Sequence, residues 1–165
     1  LIILANNPSL KALLRSPVLL LAFGFGSGLS PKAPGTMGTI AAIPLWLLLV
    51  QLSQPVYLVL ILLSGVVGIY ICGAAAERLG VHDHGGIVWD EFVGFWVAMA
   101  FLPSDCVSIA LGFVLFRLFD ILKPGPISWL DKNMSGGLGI MIDDILAGVA
   151  AGCCGWLIQF LLTVY

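Results

Sequence analysis

Apolar and polar positions fall in long blocks along this chain rather than in the short periods of a soluble fold. Residues 33–76 run for forty-four positions without a charge, broken only at Gln51-Leu-Ser-Gln-Pro55, a polar turn with proline placed to start the next helix. This predicts a helical hairpin with arms near 38–52 and 55–75, whose ends emerge on one face beside Lys32 and Glu77-Arg78. Two shorter apolar runs, 92–102 and about 106–119, separated by Pro103-Ser-Asp105, predict a second pair of helices. Eleven residues cannot cross a hydrocarbon core of about 30 Å, so the first of these is expected to begin near Val88, with Trp89 at the interface. Residues 145–164 predict the last span, with Asp143-Asp144 opening its helix. Upstream, residues 17–29 hold Gly24, Gly26 and Gly28 and are too few to span, so they read as a re-entrant or buried segment. Ser9-Leu-Lys-Ala-Leu-Leu-Arg15 reads as a short amphipathic helix at the membrane surface. The expected fold is all-α, a polytopic membrane helical bundle of about five short spans plus a re-entrant or interfacial N-terminal segment. It forms a single domain over 1–165, with 1–16 interfacial and 17–165 the functional bundle.

Composition agrees with the blocks: 60% of residues are hydrophobic, 10% are charged, and mean hydropathy is +1.10, all far from soluble averages. Seven basic and nine acidic side chains leave a net charge of −2, so there is no basic field to hold nucleic acid. In the serpentine topology Lys11, Arg15, Lys32, Arg78, Arg117, Lys123 and Lys132 share one side, and the acids other than Asp105 join them. The positive-inside rule makes that side cytoplasmic. Cys72, Cys106, Cys153 and Cys154 lack metal or disulfide spacing and read as small core residues. Leu1-Ile-Ile-Leu4 precedes the basic residues instead of following them, so no cleavable signal peptide is expected. Gly148-Val-Ala-Ala-Gly152 forms a small-residue stripe suited to close helix contact, read as intramolecular packing ahead of dimerisation; monomer and homodimer both stay open.

Against this background one stretch stands out, Gly80-Val-His-Asp-His-Gly-Gly-Ile-Val-Trp-Asp-Glu-Phe-Val-Gly94, which sets Asp83, Asp90 and Glu91 at a membrane edge. These are hard oxygen ligands of the type that hold Mg²⁺; the alternative is a solvated loop between helices. Asp143-Asp144 form a second acidic pair, which a helix N-terminus alone would stabilise and which a shared divalent cation would also relieve. Arg117, Asp120 and Lys123 lie on neighbouring positions of one helix face, either a salt-bridged helix end or a metal carboxylate flanked by phosphate-binding cations. Phe25-Gly-Ser-Gly-Leu-Ser-Pro-Lys-Ala-Pro-Gly-Thr-Met-Gly-Thr39 has the glycines, hydroxyls and lysine of a loop that cradles phosphate, with Lys32, Gly35 and Thr36 before a helix. An irregular turn has the same composition. His82 and His84 flank Asp83 among oxygen ligands and suit hydrogen bonding more than zinc. The spacing of Cys72 and Arg78 matches cysteine phosphatases, but Gly73-Ala-Ala-Ala-Glu77 is helical in character and the match reads as chance. With no Asp-x-Asp pair and no Ser-His-Asp set, metal-activated water is the chemistry that remains. A rival from another class is a small membrane cation transporter using intramembrane carboxylates.

Taken together, Gly24-Phe-Gly-Ser-Gly28, Pro31-Lys-Ala-Pro-Gly-Thr36, Val81-His-Asp-His-Gly85, Val88-Trp-Asp-Glu-Phe92, Arg117-Leu-Phe-Asp-Ile-Leu-Lys-Pro124 and Gly137-Leu-Gly-Ile-Met-Ile-Asp-Asp144 closely resemble the bacterial phosphatidylglycerophosphatase A family. The resemblance covers about residues 18–155. It implies a Mg²⁺-dependent phosphatase of the inner membrane that converts phosphatidylglycerophosphate, its partner along with membrane lipid, to phosphatidylglycerol and inorganic phosphate. On that basis Asp83, Asp90, Glu91, Asp143 and Asp144 are expected to hold Mg²⁺. Lys32, Gly35, Thr36, Arg117 and Lys123 are expected to meet phosphate, while Asp120 orients Lys123 or acts as general base.

Overall fold

Helix starts follow the capping residues of the sequence. Ser9 accepts a hydrogen bond from the Ala12 amide to begin α1 (Leu10–Leu14), and Ser16 accepts one from Leu19 to begin α2 (Pro17–Ala22). Proline occupies the first turn of α3 (Pro34–Leu49) and of α4 (Gln54–Leu79), where its missing N–H has no helical partner to lose. Asp105 caps α6 (Cys106–Leu122), accepting from the amides of Val107 and Ser108, and the Ser108 hydroxyl holds its carboxyl below the usual carboxylate range. The remaining helices are α5 (Trp89–Met99), α7 (Pro126–Asn133) and α8 (Gly136–Val164). This computed structural model describes residues 7–81 and 84–164. Residues 1–6, His82, Asp83, Tyr165 and the side chain of Asp131 lie outside the described residues, and with them the expectations for Leu1-Ile-Ile-Leu4, His82 and Asp83.

The described residues are all-helical, with no strand. Two helices are long and apolar enough to cross a membrane: α4, with 26 residues, and α8, with 29. At 1.5 Å per residue each exceeds the roughly 30 Å of a hydrocarbon core. The arms expected at 38–52 and 55–75 are α3 and α4, but they do not pack closely as a hairpin, since each lies against α5; the expected pair at 92–102 and 106–119 is α5 and α6. Large apolar side chains project outward along α4 (Leu62, Val66, Tyr70) and α8 (Trp156, Phe160, Leu162), where a soluble protein would present charge.

At the centre lies α5. Trp89, Phe92, Val93, Phe95, Trp96, Ala98 and Met99 are all buried, so this eleven-residue helix is a core strut enclosed by α3, α4, α6 and α8. Trp89, expected at the membrane interface, is enclosed among the helices: it is 9% exposed and its indole N–H donates to the Ser64 carbonyl on α4 at 3.2 Å. A helix that is apolar all round is buried by its neighbours, and indole and phenol groups inside then need partners. They have them. Trp96 donates to the Ala42 carbonyl on α3, and Trp46 donates to the Tyr57 hydroxyl, which itself donates to the Trp96 carbonyl at 2.6 Å.

The last helix begins earlier than expected. Asp143 and Asp144 do not open it; α8 starts at Gly136, so the two acids lie about two turns inside. Two of its glycines allow close approach of neighbouring helices. A Cβ on Gly137 would collide with the Ile69 carbonyl of α4, and one on Gly148 with the Gly94 carbonyl of α5. The small-residue stripe thus faces α5 within the chain. A further helix, α7, was not anticipated from the apolar blocks, because it is short and amphipathic with Trp129 outward.

The re-entrant or buried segment at 17–29 consists of α2 followed by irregular 3₁₀ turns (Gly24–Leu29), in which Phe25 and Gly26 take positive φ. It folds onto the stretch leading into α5: the Val88 amide donates to the Ala22 carbonyl, and Gly28 approaches the Gly86 carbonyl too closely to admit a Cβ. Arg78 at the end of α4 donates to Ser16 at 2.6 Å. At the other end of the bundle Gln159 on α8 donates to Ser108 on α6. The start of α5, the end of α6 and the first turns of α8 are thereby gathered at one end.

Candidate active site at the acidic end of the bundle

Three helix segments bring the polar side chains together. The first turn of α5 carries Asp90 and Glu91, the last turns of α6 carry Arg117 and Asp120, and α8 carries Asp143 and Asp144. Lys123 terminates α6 in the left-handed region (φ +42°), which turns its ammonium toward α8, where Nζ lies 2.6 Å from Asp143 Oδ2. Asp90, Glu91, Asp120, Lys123, Asp143 and Asp144 line one cavity of about 200 Å³, closed further by Gly85, Ile87, Met134, Gly139 and Ile140.

Within it, one oxygen from each of Asp90, Glu91 and Asp144 lies within 4.8 Å of the others. Asp144 is 3% exposed, and it also feels the charges of Asp90, Asp120 and Asp143. Glu91 Oε2 and Asp144 Oδ2 are buried and accept no hydrogen bond among the described residues. Buried carboxylate oxygens are ordinarily paired, and unpaired neighbours of like charge repel. A set of hard oxygens held this close, with two lacking partners, fits a divalent cation such as Mg²⁺ and does not suit a soft metal.

Arg117 stands behind this trio. Its Nη1 is 2.8 Å from Asp120 Oδ2 and 3.8 Å from Glu91 Oε1, and the guanidinium is mostly buried. The first turn of α3 closes over the same pair: a Cβ on Gly35 would collide with Glu91 Oε1 and lie 3.1 Å from Arg117 Nη2. Gly35→Ala is accordingly expected to displace Glu91, destabilise the protein by about 1–3 kcal/mol and depress activity; paired thermal melts and rate measurements on Gly35→Ala check this.

Of the residues singled out from sequence, Asp90, Glu91, Asp120, Asp143, Asp144 and Lys123 share the cavity, and Arg117 and Gly35 adjoin it. Thr36 is half-buried in the first turn of α3, while Lys32 is exposed on the preceding loop and does not line the cavity. Asp83 lies outside the described residues. His84 is buried; its Nδ1 accepts from the Gly86 amide at 3.0 Å and its ring packs on Phe23, the hydrogen-bonding role expected of it. Sequence reasoning missed Met134, Gly139 and Ile140 as cavity walls. Their signal was the glycine-rich run at 136–139, which marks close packing as readily as a turn.

With this geometry in view, similarity to known proteins is informative. A family model described as Phosphatidylglycerophosphatase A matches residues 20–159. The chain is 54% identical over 135 residues to a Phosphatidylglycerophosphatase A of Escherichia coli (strain K12), covering 81% of this chain and 78% of the relative. It is 46% identical over 157 residues to a protein of the same description from Haemophilus influenzae, covering 94% and 96%. A Bacteroides thetaiotaomicron relative, provisionally described as a phosphatidylinositol-3-phosphatase, is 37% identical over 139 residues, covering 79% and 86%. No solved structure matches significantly.

Proposed function

Because the chain belongs to the phosphatidylglycerophosphatase A family, we propose that it hydrolyses the phosphate monoester of phosphatidylglycerophosphate, giving phosphatidylglycerol and inorganic phosphate. The observation that carries the site assignment is the trio Asp90, Glu91 and Asp144, whose oxygens converge on one cavity with two of them unpartnered. The relatives it matches are phosphatases, which leaves the cation-transporter alternative without support.

In this reading Asp90, Glu91 and Asp144, with Asp143 beside them and Asp83 as a further candidate from sequence, would hold Mg²⁺, which when bound supplies Lewis-acid polarisation of the phosphate and a more acidic water. Lys123 and Arg117 meet phosphate oxygens from the α6 side, and Gly35 and Thr36 stand on the α3 side; Lys32, exposed on the preceding loop, is given no phosphate contact. Asp120 lines the cavity and is steadied by Arg117 at 2.8 Å. In this reading it accepts a proton from the attacking water and returns it to the glycerol oxygen as the phosphorus–oxygen bond breaks, leaving the lipid hydroxyl and inorganic phosphate. Two helices suited to crossing a membrane, with apolar surfaces facing outward, support an inner-membrane location with several passes around α5. Arg78, Arg117 and Lys123 at the acidic end support a cytoplasmic orientation of the site.

The test is phosphate release by the purified protein in detergent from phosphatidylglycerophosphate, with phosphatidylinositol 3-phosphate as a competing monoester. EDTA is expected to lower the rate by roughly 10²-fold or more, since it removes the main electrostatic stabiliser of the transferring group, and excess Mg²⁺ to restore it. Full activity in EDTA would remove the metal from the mechanism; no release from either lipid would remove the phosphatase reading itself.

A further inference from the structure

A lipid whose phosphate enters the cavity must lead its tails out between helices. On α6, Asp120 and Lys123 line the polar cavity, while their neighbours Phe119 and Pro124 line a second, almost wholly apolar groove of about 350 Å³. On α8 the same change occurs along one face: Asp143 is in the cavity, and Leu146, Val149 and Ala150 are in the groove. Ile127 of α7 closes its end, and Val149, at 38% exposure, marks its opening to the outside of the bundle. The Lys123–Asp143 contact at 2.6 Å thus stands at the boundary between a polar chamber and an apolar channel. The groove's volume lies in the range, roughly 300–1,000 Å³, of sites that hold a small ligand.

We infer that the groove between α6, α7 and α8 seats an acyl chain of the substrate lipid while its phosphate occupies the acidic cavity. This rests on the lipid-phosphatase reading given above. Its physical role is alignment. A chain already in lipid gains little from entering another apolar site, but a chain held in a groove fixes where the ester phosphate stops relative to Lys123 and the carboxylates. A second apolar groove of about 290 Å³, between α4, α5 and α8, is lined by Gly65, Val97, Leu138 and Ile145; like the first it shares no lining residue with the cavity, and it is the alternative seat that the experiment must separate. A Cβ on Gly65 meets only ordinary contacts, 3.8 Å from Ile145 and 3.9 Å from Val93, so a side chain added there starts without collision and extends into that groove.

The experiment compares wild type, Ala150→Phe and Gly65→Leu on two substrates in detergent: dioleoyl phosphatidylglycerophosphate and its fully deacylated headgroup phosphate. Ala150→Phe is expected to lower kcat/KM on the dioleoyl lipid by about tenfold and on the deacylated compound by less than about twofold, with Gly65→Leu changing neither. Val149→Trp, at the exposed rim, is measured in parallel and serves alone if Ala150→Phe does not fold. Equal losses on both substrates, or no loss in a folded variant, overturn the assignment. So does a chain-selective loss in Gly65→Leu instead, or dissociation of a dimer by Ala150→Phe, which would make the groove a subunit contact. If the wild type releases phosphate from neither compound, the phosphatase reading fails first, and the groove assignment falls with it.

Discussion

Asp144→Asn is expected to lower turnover by roughly 10²–10³-fold, the size of effect seen when one preorganised electrostatic group is removed from a reaction centre. The same protein, freed of divalent cations, is expected to melt at an unchanged or higher temperature. Both follow from one arrangement. Asp144 is almost fully buried beside Asp90, Asp120 and Asp143, and one of its oxygens has no partner among the described residues. Without a cation carboxylates this close repel in a medium that screens them poorly, so replacing one by a neutral isostere relieves the protein while removing a proposed Mg²⁺ ligand. Asp90→Asn and Glu91→Gln should follow the same pattern, each raising the Mg²⁺ concentration needed for half-maximal rate. Undiminished kcat at ordinary Mg²⁺ in all three variants would leave these acids with a structural role only. The pairing of lower activity with retained or increased stability is what separates a ligand from a packing residue.

Arg117→Ala should act in the opposite sense on stability. Its guanidinium stands between Asp120 at 2.8 Å and Glu91 at 3.8 Å, so truncation strands two mostly buried carboxylates, a loss of about 3–5 kcal/mol. Turnover is expected to fall as well, by about one to two decades in kcat/KM, if the same cation also meets a phosphate oxygen. Combining Arg117→Ala with Asp120→Ala separates the two roles. Because Asp120 is the proposed base, the double variant is judged against Asp120→Ala alone: a recovered melting temperature with kcat/KM on the lipid below that of Asp120→Ala agrees with a phosphate ligand. Equal kcat/KM in the two makes Arg117 a strut and withdraws it from the phosphate site. Arg117→Lys adds a check on geometry, since a single ammonium cannot reproduce a fork that faces two acids.

Much of this arrangement was legible in the chain. Charges are so scarce in it that Asp90-Glu91, Arg117 with Asp120, and Asp143-Asp144 stood out, and the serpentine of apolar blocks carried all of them to one end. What could not be read was the setting of each block. An apolar run of eleven residues has the same composition whether lipid or other helices surround it, so α5 looked like a short span while it is the enclosed centre of the fold. Glycine was the second source of error. Gly136, Gly137 and Gly139 have the composition of a turn, and only the carbonyl of Ile69 lying against Gly137 shows that Gly137 lets α8 press onto α4, while Gly136 takes the positive φ of a turn and Gly139 lies against the Met134 carbonyl. The contact between Gly35 and Glu91 is of the same kind: it joins positions far apart in the chain, and nothing local to either announces it. Lys32 illustrates the reverse case, a cation in a loop of suggestive composition that the fold leaves outside the cavity wall.

The enclosure of α5 also sets an order of events during biosynthesis. Its surroundings include helices made before it, α3 and α4, and helices made after it, α6 and α8. Asp90 and Glu91 would be costly within lipid, by about 2.5–3.5 kcal/mol for a central acid on insertion scales, so α5 cannot be released to the bilayer by itself. Some 45 residues separate the end of α5 from Asp144. At translation speeds of about 5–20 residues per second, α5 therefore waits roughly two to ten seconds for the helix that covers it. Through that interval its indoles and adjacent acids lack the side chains of α6 and α8 that later cover them, which makes the arrival of α8 the step that completes the core.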